Sequence, residues 1–180
     1  MSMKIITIGY LILTASSTWA CNLFKKDKDR YFNPVEISST NTVLNNTDKS
    51  YLDTVLYVGL KEANVNNITV VIEDMKSQPT STKDDLVLDA YVIETSDNIF
   101  YVVIRDMDRA KSISAISHEI IHIQQYISQR LQINRDGSVM WEDRFIPNAN
   151  DIDYMSRPWE SEAFKQQYDM RDQIEQELYK

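Results

Sequence analysis

Hydrophobic positions follow two different periods along the chain, and together they predict an α+β fold. Residues 51–65 carry apolar side chains at helical spacing, with either Asp48 or Ser50 as the expected N-cap. A second helix is predicted from Asp108 to about Asn134, and a last helix from about Trp159 to Tyr179.

Runs of β-branched residues between the first two helices predict the strands of a small mixed sheet. These runs are 67–75, 86–95 and 99–107, and a short polar turn between the last two favours a hairpin. Asp136-Gly137 is a turn signal, and residues 138–147 favour another strand or hairpin arm. Helices therefore flank a small sheet.

The second predicted helix contains both histidines of the chain, His118 and His122, in the sequence HEIIH. On a helical wheel its apolar residues share one face. They are Ile113, Ile116, Ile120, Ile123, Ile127 and Leu131. The histidines lie on the opposite, polar stripe, one turn apart, where two imidazoles can reach a single ion. Ile121 lies near that stripe, which indicates that another element covers it. This arrangement favours a metal site over two unrelated surface histidines.

A catalytic zinc ion takes three protein ligands and leaves one position for water, so two histidines are not enough. The only cysteine, Cys21, lies far away near the N-terminus, so the third ligand is expected to be a carboxylate. Glu160 and Glu162 compete for this role at the start of the last helix. The wheel places Glu160 on the buried stripe and Glu162 toward water, which favours Glu160. The helix dipole attracts an acid to this first turn, but it does not explain an acid on the apolar stripe.

The segment His118 to His122, followed by Glu160-Ser161-Glu162-Ala163, resembles the gluzincin branch of zinc metallopeptidases. The resemblance covers about 99–167 and implies a zincin-like fold, in which the C-terminal helix supplies the third ligand. It implies that His118, His122 and Glu160 bind Zn²⁺ and that Glu119 is the catalytic base.

The chain departs from the gluzincin pattern at Phe164. Many gluzincins have an aspartate there that supports a zinc histidine. The residue that accepts a hydrogen bond from the second ring nitrogen of each histidine is therefore unassigned, and Asp151 or Asp153 is a candidate.

The resemblance implies a zinc-dependent hydrolase, and most directly a peptidase that acts on a peptide or protein. Zinc activates water in such enzymes, and Glu119 would take its proton. Tyr154, Arg157 and Tyr168 are candidate donors to the oxyanion. If the 99–107 run is an edge strand, it could pair with an extended peptide and present it to zinc; the alternative is a core strand, and the two are compatible.

Two other functions compete with proteolysis. The first is a catalytically silent protein of zincin fold that acts as a lipid-anchored binding or assembly module. The intact Glu119 argues against it, because a retired enzyme is free to lose its base. The second is zinc-dependent hydrolysis of a non-peptide bond, for example in cell-wall material.

The net charge and the glycine content of the chain argue against two classes of binding partner. The formal net charge of −8 repels phosphate backbones, so nucleic acid is not an expected partner. With only three glycines, the chain also lacks a phosphate-binding loop of the G-x-x-x-x-G-K type.

The N-terminal segment predicts export. Residues 1–20 combine a lysine, a short apolar run and small residues before Cys21, which is the layout of a signal peptide. Cys21 in this place resembles the lipidated cysteine of bacterial lipoproteins, although Thr18 and Trp19 depart from the usual lipobox; simple secretion is the alternative. Residues 21–34 are expected to form a tether, and 35–180 a zincin-like metallopeptidase domain anchored to the bacterial cell envelope.

Overall fold

The computed structural model describes residues 36–39, 49–75, 88–96 and 98–180. The chain divides into two units, Met1–Tyr31 and Phe32–Lys180, and every described residue belongs to the second. The predicted signal peptide, Cys21 and the tether lie outside the described residues. Within the described ranges, no helix combines the length and the apolar character needed to cross a bilayer.

The described residues form an α+β structure, as the hydrophobic pattern predicts. In chain order its elements are β1 (Glu36–Ser39), α1 (Lys49–Glu62), β2 (Thr69–Asp74), β3 (Ala90–Ser96), β4 (Ile99–Ile104), α2 (Arg109–Ile127), β5 (Leu131–Ile133), β6 (Val139–Trp141), β7 (Arg144–Ile146) and α3 (Pro158–Leu178). Two short 3₁₀ turns, Ala149–Asp151 and Tyr154–Ser156, precede α3.

The larger sheet has the strand order β1-β2-β4-β3. β1 and β2 pair in parallel, as do β2 and β4, whereas β3 and β4 are antiparallel, so the predicted mixed sheet and hairpin are confirmed. Of the two alternatives for the 99–107 run, the core strand is confirmed and the edge strand is not, because β4 lies inside the sheet. Its side chains Phe100, Val102 and Ile104 are buried, as expected of a strand paired on both sides. Among the described strands of this sheet, β1 and β3 lie at the edges.

Helix α2 begins where the sequence predicts and ends earlier. The Asp108 side chain caps it by accepting a hydrogen bond from the Lys111 backbone N–H at 2.9 Å. The helix ends at Ile127 rather than near Asn134, and Gln129 adopts a left-handed φ of 58°. The chain then reverses into β5, where Leu131 pairs with Trp141. Leu131 is buried in a separate small core with Trp141 and Trp159, which outweighs its helical spacing.

Helix α1 packs tightly on the two helices that carry the predicted site. It covers most of the predicted range, but Ser50 lies inside it rather than at the cap, and Asp48 lies outside the described residues. A Cβ at Gly59 would stand 2.3 Å from Cδ1 of Ile120 in α2 and 2.8 Å from Cδ1 of Ile174 in α3. A side chain at this position would therefore force the ends of both isoleucine side chains to shift.

Candidate metal centre

The polar stripe of α2 is covered, as the position of Ile121 indicates. Helix α3 packs across it, and His118 and His122 retain only 7% and 6% of their accessible surface. Two histidines on successive turns of one helix thus face a protein interior rather than solvent.

Helix α3 brings Glu160 to the histidines. The helix starts at Pro158, which suits a first turn because its missing N–H needs no partner there. Glu160 is buried at 7% exposure, in agreement with the helical wheel. Glu162 points elsewhere: its carboxylate accepts two hydrogen bonds from Arg130 at 2.9 and 2.7 Å, so it is paired rather than turned to open water.

The three predicted ligands converge on one point. Nε2 of His118 and Nε2 of His122 are 3.1 Å apart. Oε2 of Glu160 lies 3.2 Å from the first nitrogen and 3.3 Å from the second. Within the described part of the chain, these residues form a buried group that could hold a metal ion.

The charges of Glu160 and the two histidines strongly affect the pKa values of Glu160 and His122. Burial alone would raise the pKa of Glu160, but the hydrogen bonds with His118 and His122 outweigh it and hold the pKa well below its usual range. Burial alone would lower the pKa of His122, but its hydrogen bond with Glu160 and the charges of Glu160 and Glu119 raise it to about 9. In the metal-free protein, a proton held between the imidazole of His122 and the carboxylate of Glu160 supplies the positive charge that a metal ion would otherwise supply.

Two glutamines contact the far side of the histidines. Oε1 of Gln167 lies 3.0 Å from Nδ1 of His118, and Oε1 of Gln125 lies 2.8 Å from Nδ1 of His122. The sequence-based candidates for this support are wrong. Asp151 and Asp153 are exposed, and the Asp151 carboxylate accepts a hydrogen bond from Asn148 instead.

Glu119 is buried beside the three predicted ligands, and the two oxygens of its carboxylate differ in their hydrogen bonding. The backbone N–H of Val92 in β3 donates to its carboxylate, whereas Oε2 has no hydrogen-bond partner among the described residues. Burial raises the pKa of Glu119, although the charges of His122 and His118 act in the opposite direction. A buried carboxylate with one unused oxygen is suited to accept a proton from a small molecule beside the cluster.

A cavity of about 140 Å³ opens next to this carboxylate. Glu119, His122 and Glu160 contribute its polar wall. The remaining wall is largely apolar and aromatic: Leu88, Ala90, Tyr91, Val92, Tyr126, Leu131, Ile133, Tyr154 and Trp159. A small molecule in this cavity would contact the cluster and the edge strand β3 together.

The three candidate oxyanion donors differ in position. Tyr154 lines the cavity, and its hydroxyl hydrogen bonds with Glu160; burial and that carboxylate raise the pKa of the phenol. Arg157 lies over the Tyr154 ring at 5.2 Å and donates to the Ile152 carbonyl. Tyr168 is exposed and stacks with Arg171, so it is not at the cluster.

Sequence reasoning missed the two glutamines and the Val92 N–H. A signal for the glutamines is present, since the wheel places Gln125 on the histidine stripe and Gln167 on the Glu160 stripe. A glutamine three residues after a candidate ligand is within reach of it on a helix. Backbone donation from Val92 carries no sequence signal, because any residue supplies it.

No protein-family model, curated protein or solved structure matches the chain. Interpretation of the site therefore depends on the motif and on the geometry of the side chains.

Proposed function

We propose that this protein is a zinc-dependent peptidase of zincin-like fold, with His118, His122 and Glu160 as the metal ligands. The observation that carries the proposal is the set of three distances between Nε2 of His118, Nε2 of His122 and Oε2 of Glu160. A tetrahedral zinc ion with bonds of about 2.0–2.1 Å has ligand atoms about 3.3–3.4 Å apart. The measured separations of 3.1, 3.2 and 3.3 Å are within a few tenths of an ångström of that spacing.

The donor set also fits a catalytic zinc site rather than a structural one. Two imidazoles and one carboxylate are ligands that zinc favours, and structural sites usually close the sphere with a fourth protein ligand. The cavity bordered by Glu119 is also lined by His122 and Glu160, two members of this donor set. Three protein ligands with an adjoining cavity are typical of sites that bind water or substrate.

Zinc bound here would supply a Lewis acid that polarises the scissile carbonyl and makes an attacking water more acidic. Glu119 would take the proton of that water on its unpartnered Oε2 and return it to the leaving amine. Burial of this carboxylate favours its protonated form, which helps it to hold the proton before the proton passes to the leaving amine. The phenol of Tyr154 is the donor best placed to stabilise the oxyanion.

The edge strand β3 offers a place for an extended substrate. The Val92 N–H points away from β4, since it donates to Glu119, so the outer edge of β3 adjoins the cavity. An extended peptide that paired with this edge would pass the cluster, which is how β-strand addition recruits peptides. The role proposed from sequence for the β4 run thus falls to β3.

The test is Glu119→Gln beside wild type and His122→Ala, purified without added metal. Glu119→Gln should keep about one zinc per chain, because Glu119 is not a ligand, and should lose at least 10²-fold in cleavage of a broad peptide library. His122→Ala should lose metal and activity together. Unchanged cleavage by Glu119→Gln would show that the chemistry is different. Zinc binding without cleavage by wild type would favour a binding or assembly module.

A further inference from the structure

We propose that Gln125 and Gln167 are positioning residues that hold both imidazoles with Nδ1 protonated and Nε2 turned to the metal. The proposal rests on the metal centre of the proposed function and extends it to residues outside the HEIIH motif. It is carried by two hydrogen bonds and by the burial of both amides, at 1% and 8% exposure.

The orientation of Gln125 is fixed independently of His122. Its Nε2 donates to the backbone carbonyl of Trp159 at 3.1 Å, which places Oε1 against Nδ1 of His122. An amide oxygen only accepts hydrogen bonds, so Nδ1 must carry the hydrogen. The lone pair of the neutral ring is then on Nε2, which faces the cluster.

Gln125 also joins the two helices that supply the ligands. His122 is on α2, and Trp159 immediately precedes Glu160 in the first turn of α3. One buried side chain therefore fixes the ring of His122 relative to the backbone that carries Glu160. Loss of this link would affect two ligands at once.

Gln167 accepts the hydrogen bond from Nδ1 of His118, because the position closer to that ring on α3 is occupied by Phe164. The ring of Phe164 packs on the His118 ring, with centroids 4.5 Å apart, and contributes no acceptor. Gln167, three residues later on the same face of α3, reaches Nδ1 instead.

A neutral amide suits this place, since Glu119 and Glu160 already put two carboxylates in the buried cluster. A third buried carboxylate would add desolvation and like-charge repulsion.

The experiment measures zinc affinity of the full chain by competition with a chromophoric chelator. Gln125→Met and Gln167→Met keep side-chain length and remove the amide, and each should weaken zinc binding by roughly 10- to 100-fold, as loss of a ligand's hydrogen-bond partner does. Gln167→Glu keeps an acceptor at Nδ1 and should bind zinc more tightly than Gln167→Met does, while its added buried carboxylate should lower the stability of the metal-free protein.

Two neighbouring glutamines provide matched controls. Gln166→Met loses only a hydrogen bond to Glu162 on the exposed side of α3. Gln124→Met loses a hydrogen bond to the Ala63 carbonyl but contacts neither histidine. Both should bind zinc as wild type does, and circular dichroism should show that all variants fold.

A second readout needs no variant. In zinc-loaded wild type, long-range ¹H–¹⁵N spectra should show both histidines with protonated Nδ1 and metallated Nε2. Wild-type zinc affinity in Gln125→Met and Gln167→Met would overturn the positioning role and leave the zinc site intact. Metallation of the histidines through Nδ1 would do the same. Absence of zinc binding by wild type would overturn the proposed function as well.

Discussion

The metal-free protein should become less stable as pH rises through the neutral range, because the cluster then loses the proton that substitutes for a metal. The group responsible is His122, whose partner Glu160 keeps its charge throughout this range since its own pKa is lowered. In the unfolded chain, His122 has neither burial nor a carboxylate partner.

The magnitude follows from the shift of the His122 pKa. A rise from 6.5 to about 9 corresponds to about 3 kcal/mol of stability. Since the folded-state pKa is the higher one, this contribution is fully present below pH 6.5 and is lost as pH rises to about 9. For a domain of this size, the loss corresponds to a fall in Tm of roughly 6–12 °C.

The assay is thermal unfolding in chelator at pH values between 6 and 9.5, for wild type and His122→Gln. The difference between the two proteins isolates the contribution of His122 from other titrating groups. With saturating zinc the trend should reverse, because metal binding displaces the proton and strengthens as pH rises. A difference that stays constant or grows with pH in chelator would refute the assignment of the proton to this cluster.

Four further substitutions test separate parts of the structure. Glu160→Gln should lose zinc, whereas Glu162→Gln should bind zinc normally and lose at most about 1 kcal/mol of stability through its ion pair with Arg130; metal analysis and urea unfolding check both. Gly59→Ala should destabilise the metal-free protein by about 1 kcal/mol in urea unfolding, because overpacking against α2 and α3 exceeds the gain in helix propensity. Tyr154→Phe removes a hydrogen bond to Glu160, so its kcat is compared at saturating zinc, where it should fall by roughly 10²–10³-fold; an unchanged kcat would exclude the phenol as the oxyanion donor.

The positions of the candidate ligands were predictable because they depend on helical periodicity. Once His118 and His122 share a stripe, and Glu160 lies on the buried side of its own helix, packing of the two helices brings them together. The same wheel separates Glu160 from Glu162. It does not reveal that Glu162 pairs with Arg130, because Arg130 lies beyond the end of α2, in the turn that leads to β5.

The fold was less predictable where contacts between distant parts of the chain determine the end of a helix or the order of the strands. The end of α2 was missed because Leu131 satisfies helical spacing and also fits a strand, and its burial with Trp141 and Trp159 selects the strand. The hydrophobic pattern also does not determine the strand order, for a similar reason. β4 is interior because it pairs with β2 as well as with β3, its neighbour in the hairpin, and the hydrophobic pattern of a strand does not identify the strands beside it.

The most direct test of the metal centre is zinc K-edge X-ray absorption on protein purified without added metal, with His122→Gln as the control. We predict about one zinc per chain, a first shell of nitrogen and oxygen at roughly 2.0–2.1 Å, and the scattering pattern of two imidazoles. His122→Gln should retain little or no zinc. A wild-type protein without zinc, or a shell containing sulfur at about 2.3 Å, would contradict a site built from His118, His122 and Glu160.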